Sequence, residues 1–240
     1  MRNLRIGDTG ADVMFAQLLH NNHDLTLRAP RLREDGVFGP RTQAAIQRFQ
    51  TLALPALGPG GAIMPNTPLR PGVIDAETWR ALGAGEAVEH GVSMIAQYNR
   101  NMCWHACMDM LLGGGRCRYL PAAMLDTSGG RNHGQLQVAA LDQYATMLGG
   151  RKVAAPRTES ALCDLIRSRP AVLTGTWVRA GGGHAVVLSG FYRNAACNDW
   201  ATIVRVHNPW PVGIGAVQGS GYPFMELDGG AFNANWLIVR

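Results

Sequence analysis

Apolar runs of strand length gather in the last third of this chain, at 171–176, 184–192, 201–207 and 235–239. The segments ahead of them read as helices and loops. That order confines the fold to helices first and an antiparallel-type sheet second, an α+β arrangement. Helical patterns are expected after Cys103, across 136–147 and across 159–167.

With 240 residues, 47% of them apolar and 16% charged, the chain has enough apolar material for a sizeable core. No apolar run approaches the length of a membrane span, so no membrane partner is expected. The net charge is +5, but the basic residues are scattered and form no stripe, which argues against nucleic acid as a partner. Five cysteines, at 103, 107, 117, 163 and 197, cannot all pair within one chain; free thiols and folding in a reducing cytosol are expected. The first residues, Met1 to Asp8, are followed by no apolar segment of signal-peptide length. The expectation is a protein made in a bacterial cytoplasm and delivered outside the producing cell by another route.

The first third carries an internal repeat. Gly36-Val37-Phe38-Gly39-Pro40-Arg41-Thr42 recurs as Gly72-Val73-Ile74-Asp75-Ala76-Glu77-Thr78, and each copy runs into a helical pattern. A further helix is expected around Val13, Phe15, Ala16, Leu18 and Leu19. Three short helices with glycine-rich turns before them imply a small all-α bundle over 1–82, a linker at 83–92 and a second domain over 93–240. The spacing Leu4, Gly7, Gly10, Val13, Gln17-Leu18, then Asp35-Gly36-Val37-Phe38-Gly39-Pro40 with Thr42, then Phe49-Gln50, resembles the peptidoglycan-binding domain of bacterial wall hydrolases. The resemblance covers about 4–82, departs from the pattern in the Pro/Gly-rich stretch 54–71, and implies a wall polymer as partner. Packing on the second domain, or docking a delivery apparatus, is the plainer alternative.

In the second domain the segment from Gln97 to Cys107 holds Cys103 at the start of a helical pattern that stops at Gly113-Gly114-Gly115. At a helix N-terminus the peptide dipole and free N–H groups favour a thiolate, the reactive form of the side chain. His105, two residues on, points to roughly the opposite side. His20, His23 and His90 belong to the first domain or the linker. His184 follows Gly181-Gly182-Gly183 and opens an apolar strand, which leaves room for a substrate backbone and holds the imidazole firmly. Strand alternation over 203–208 places Val204, Val206 and Asn208 on one face, Arg205 and His207 on the other. Asn208, where the strand stops at Pro209, can accept from an imidazole N–H and fix its tautomer.

Together these segments resemble papain-like cysteine peptidases, most closely the compact bacterial branch of effector proteases and bacteriocin-processing peptidases. The resemblance covers 93–240. It implies Cys103 as nucleophile, His184 as base, Asn208 as the residue that orients the base, and Gln97, six residues before Cys103, as an oxyanion donor. Asn208 departs from that branch, which often has aspartate there. Trp104, Trp177, Gly182 and Gly183 are the expected substrate-side residues, and Trp210 is expected to pack over Asn208. No cofactor or metal is expected: Cys103 and Cys107 share a helix face that His105 does not, so a zinc set does not converge. A disulfide between the two is not expected within one helix. Cys107 and Cys163 read as core, Cys197 as exposed.

Two functions follow as expectations. One is hydrolysis of a peptidoglycan stem-peptide amide by an antibacterial effector or lysin. The other is cleavage of a protein inside a target cell by a toxin. A cognate immunity protein and a secretion apparatus are the further partners such roles imply. A wall-binding protein with an inactive peptidase fold is the non-enzymatic alternative, which the full set of four site residues opposes.

Overall fold

The computed structural model describes residues 1–27, 30–56, 70–113, 120–128, 134–179, 182–196 and 201–240, with side chains at 24–27 and 53–56 left aside. Cys117, His133, Gly181, Cys197 and most of the stretch 54–71 lie outside the described residues. The chain divides into two compact units: 1–87 with 192–203, and 88–191 with 204–240.

The first unit holds three helices, α1 (Ala11–Leu27), α2 (Pro40–Ala56) and α3 (Ala76–Ala81). Pro40 opens α2, where its missing N–H would have had no helical partner. Asp75 caps α3 by accepting from the Thr78 N–H. Phe15, Phe38, Ile46, Phe49, Ile74 and Trp79 fill the core, joined by Tyr192 and Ile203.

The internal repeat has a structural cause. Gly36 and Gly72 both take positive φ, +69° and +76°, in the turns that precede α2 and α3. The Gly36 N–H donates to Gln17 Oε1, and the Gly72 N–H donates to Gln50 Oε1, both at 2.9 Å. Gln17 Nε2 in turn reaches the Val37 carbonyl and Thr42 Oγ1; Gln50 Nε2 reaches the Val73 carbonyl and Thr78 Oγ1. One glutamine in each preceding helix therefore locks the next glycine turn. The glutamine, glycine and threonine positions of the motif are engaged in holding the turns.

The second unit is built on a sheet of order β2-β8-β3-β4-β5-β6, with β7 pairing to β8. Strand β1 (Ala84–Glu89) runs across the boundary at residue 87; the other strands are β2 (Arg151–Ala154), β3 (Ala171–Trp177), β4 (Gly183–Asn194), β5 (Thr202–Asn208), β6 (Ala216–Gly221), β7 (Met225–Leu227) and β8 (Gly230–Val239). Strands β2 and β8, β3 and β4, β3 and β8, and β7 and β8 pair antiparallel. The helices are α4 (Cys103–Leu112), α5 (Leu141–Met147) and α6 (Glu159–Ile166). Leu173, Val186, Leu188, Phe191, Val204, Val206 and Leu237 pack with Leu162, Cys163 and Ile166 of α6. Val172, Ala185, Val187 and Ile238 pack with Cys107, Met108 and Tyr144 from α4 and α5. The two clusters thus take alternate residues of the strands, as period-two side chains on a sheet covered on both faces require.

Two expectations change. The linker at 83–92 contains strand β1, whose residues alternate between half-buried and exposed; its small residues Ala84, Gly85 and Ala87 disguised it as linker. The helix over 136–147 begins late. Leu136 is extended in a bridge to Leu125, a single 3₁₀ turn spans Val138–Ala140, and α5 starts at Leu141.

Candidate active site

Cys103 is the first residue of α4 and is buried, 6% exposed. The first intrahelical bond of α4 runs from the Ala106 N–H to the Met102 carbonyl, so the N–H groups ahead of it have no partner inside the helix. Burial nonetheless dominates at the thiol and raises its pKa. Backbone hydrogen bonds from Ala185, Trp104 and Cys103 itself act in the opposite direction. Burial thus opposes the preference for thiolate that the helix N-terminus gives. Ala185 is the residue after His184, and both border one cleft with Cys103.

His184 sits in β4, opposite Gly175 of β3, which has no side chain to crowd it. Its Nε2 lies 2.8 Å from Asn208 Oδ1. The Trp210 N–H donates to the same oxygen at 3.1 Å, and Asn208 Nδ2 donates to Asp228 Oδ2 at 2.8 Å. An amide oxygen can only accept, so Nε2 carries a proton and Nδ1 is the basic nitrogen. Trp177 stacks on the imidazole at 5.6 Å and Phe232 meets it edge-on at 6.4 Å. Burial under these rings lowers the His184 pKa, while the bond to Asn208 and the charge of Asp228 raise it. Asn208 is fully buried at the end of β5.

A cleft of about 180 Å³ is bordered by Cys103, Trp104, Gly183 and His184, with Leu136, Val138, Leu141 and Trp236 along its apolar walls. Register shifts between Thr174 and Gly175, where β8 carries one extra residue, Asn235; both edges of that bulge also border the cleft.

The structure gathers the expected residues unevenly. Cys103, His184 and Gly183 share the cleft, and Asn208 is bonded to His184. Trp104 borders the cleft but is a core residue whose Nε1–H donates to the Gly134 carbonyl. Trp177 covers His184 and does not border the cleft. Gly182 accepts from the Trp177 N–H in the turn between β3 and β4 and is also not a wall residue.

Gln97 is the main correction. It is fully buried and does not border the cleft, and its Nε2 donates to the Asn99 and Arg100 carbonyls at 2.8 and 2.9 Å. Both amide hydrogens are engaged, so none points at an oxyanion. Its backbone also bonds Pro209 and Gly213, which ties the loop before α4 to the loop after Asn208. Trp210 meets Asn208 through its backbone N–H, and the residue itself is 36% exposed.

His105 turns away to Asp109, one helical turn on, at 3.4 Å. Cys107 and Cys163 are fully buried and carry no disulfide among the described residues. Burial, then the neighbouring Cys103, push the Cys107 thiol well up. Among the described residues, no group of three or more His, Cys, Asp or Glu side chains is arranged to hold a metal.

Asp228 escaped the sequence reading. Its signal was the Asp228-Gly229 pair between two short apolar-polar runs, a two-residue hairpin mark. Nothing in that mark, however, points across to Asn208.

No curated protein matches the chain. A family model does: that of the papain-like cysteine protease AvrRpt2 matches residues 88–217, more than half of the chain and the stretch that carries Cys103, His184 and Asn208. The chain belongs to the family of the papain-like cysteine protease AvrRpt2.

Proposed function

We propose that the protein hydrolyses an amide bond with Cys103 as nucleophile, His184 as base and acid, and Asn208 as the orienting residue. One observation carries the reading: the imidazole that borders the same cleft as Cys103 has its Nε2 2.8 Å from Asn208 Oδ1, an acceptor that calls for the proton on Nε2 and leaves Nδ1 as the basic nitrogen. Thiol and imidazole are both kept neutral by burial, so the proton moves from sulfur to Nδ1 as the sulfur attacks the carbonyl carbon. The carbonyl oxygen takes up negative charge against the Cys103 N–H at the start of α4, a donor of the kind worth about 3 kcal/mol. Gln97 joins that hole only by giving up one of its two present bonds. The imidazolium then hands its proton to the departing amine and the C–N bond breaks. Water, deprotonated by the same nitrogen, attacks the thioester and releases the acid, restoring the thiol.

For the substrate we infer a peptidoglycan stem peptide, because residues 4–82 resemble a wall-binding domain and tethering raises local substrate concentration. The motif residues that hold the glycine turns are not free for glycan, so contact falls to other residues of that unit. Delivery outside the producing cell and a cognate immunity partner belong to this reading. A second reading, cleavage of a protein in a target cell, has its own support: the apolar walls Leu136, Val138, Leu141 and Trp236 suit an apolar side chain better than the charged stem peptide.

Digestion of purified peptidoglycan by the wild type and by Cys103→Ala, with fragments identified by mass spectrometry, tests both. Cys103-dependent muropeptide release supports the wall reading. Intact peptidoglycan beside Cys103-dependent cuts in target-cell proteins overturns it in favour of the second.

A further inference from the structure

Asp228 lies beyond the family-matched residues and joins the site from the turn between β7 and β8. It is the one non-glycine residue with positive φ among those described, at +48°, followed by Gly229 at +72°. Leu227 pairs with Gly230 across this two-residue connection. Such turns take Asn, Asp or Gly at the first position for backbone reasons alone, so the turn does not require a carboxylate. Asp228 is exposed, yet its Oδ2 reaches the fully buried Asn208 at 2.8 Å.

The chemistry of the partners makes the assignment one-directional. A carboxylate only accepts, so it requires the Asn208 nitrogen on its side and turns the Asn208 oxygen towards His184. That oxygen requires a proton on Nε2, which leaves the lone pair on Nδ1. Without that neighbour only the Trp210 N–H holds the amide this way round, and a flip would place an N–H against Nε2 and reverse the tautomer. The Trp210 N–H acts in the same sense from the backbone.

We propose that Asp228 is a positioning residue for the hydrolysis: it orients the Asn208 amide and, through it, fixes the His184 tautomer. The proposal rests on the reading of Cys103 and His184 as nucleophile and base. It also accounts for the departure from the branch that carries aspartate at the third position, since here the carboxylate stands one residue further out and an amide transmits its direction. Of the groups placed against the imidazole, Asp228 is the charged one and Cys103 is titratable; Trp177, Phe232 and Asn208 are uncharged.

The test uses Asp228→Gly, which eases the backbone and deletes the side chain, and Asp228→Asn, which suits the turn and keeps an acceptor oxygen. Each is made in the full chain, for kinetics with Cys103 intact and for ¹⁵N NMR of the His184 ring in a Cys103→Ala background. Expected for Asp228→Gly is a melting temperature close to wild type. Its kcat should fall about tenfold with little change in KM, and the ¹⁵N shifts should show loss of the pure Nε2–H tautomer. Asp228→Asn should recover part of the rate but titrate His184 at lower pH than wild type, since the charge is gone. Wild-type kcat and an unchanged His184 spectrum in Asp228→Gly overturn the proposal; should that variant not fold, an unchanged titration in Asp228→Asn does so. If the wild type shows no Cys103-dependent hydrolysis, the reading of the site fails, while the NMR arm still decides whether Asp228 sets the tautomer.

Discussion

Replacing Asn208 by aspartate is nearly isosteric, yet it puts a carboxylate oxygen where Nδ2 now stands, 2.8 Å from Asp228 Oδ2. Two outcomes compete. If both groups stay ionised, their repulsion in a half-exposed site with an effective dielectric near 40 is about 3 kcal/mol. If the pair instead holds one proton at pH 7, with an unfolded-state aspartate near 3.9, the cost is about 4 kcal/mol. Repulsion is therefore the cheaper outcome above about pH 6, and proton uptake below it, where the cost shrinks to about 1.5 kcal/mol at pH 5. The folded pair binds protons more readily than the unfolded chain, so stability is retained at low pH and lost as pH rises. Asn208→Asp should thus melt about 6–12 °C below wild type at pH 7.5 and only a few degrees below it at pH 5. Adding Asp228→Asn restores a donor facing a carboxylate and should recover most of the loss at both pH values. Melting curves of wild type, single and double variants at the two pH values make the comparison. A single variant as stable as wild type at pH 7.5, or a double variant no better than the single, would refute the reasoning.

Other expectations follow from the same contacts. His207 is buried with no hydrogen-bond partner on either ring nitrogen among the described residues, and burial, then Arg205, lower its pKa to about 4. Its stability contribution is full above the unfolded value of 6.5 and disappears as pH falls towards 4, so His207→Phe should flatten that part of a melting-temperature profile. His184 adds a decline in the same direction, so the slope should lessen without vanishing. Trp177→Ala opens the imidazole to water; since burial is the main cause of its lowered pKa, the acid limb of kcat/KM should move up in pH, and an unmoved limb would contradict that cause. His105→Ala should leave turnover within about twofold of wild type, because its partner is Asp109 and it does not border the cleft.

What was legible in the sequence follows what the physics marks locally. Strands β3, β4 and β5 and the C-terminal half of β8 announce themselves because both faces are covered and their residues are nearly all apolar. Strand β6, with Gln218, Gly219 and Ser220, and the three-residue β7 bury too little to leave a pattern. Cys103, His184 and Asn208 stood out in the sequence because each stands at an element boundary with its own marker: a helix start, a glycine run, a proline. Asp228 could not, because its role depends on the β7–β8 hairpin bringing it to the end of β5. Gln97 was singled out by spacing, but spacing does not say where an amide points, and two carbonyls of its own loop hold it. The burial that pushes the Cys103 thiol up was hidden for a related reason: a helix N-terminus is visible in sequence, whereas desolvation is a property of the packed unit.

The most direct test of the central claim is the rate at which iodoacetamide labels Cys103, followed by peptide mass spectrometry at pH 7 in wild type and in His184→Ala. If His184 takes the proton from Cys103, the variant should label at least about tenfold more slowly, with Cys107 untouched in both proteins. Equal labelling rates, or preferential labelling of Cys107, would contradict the account.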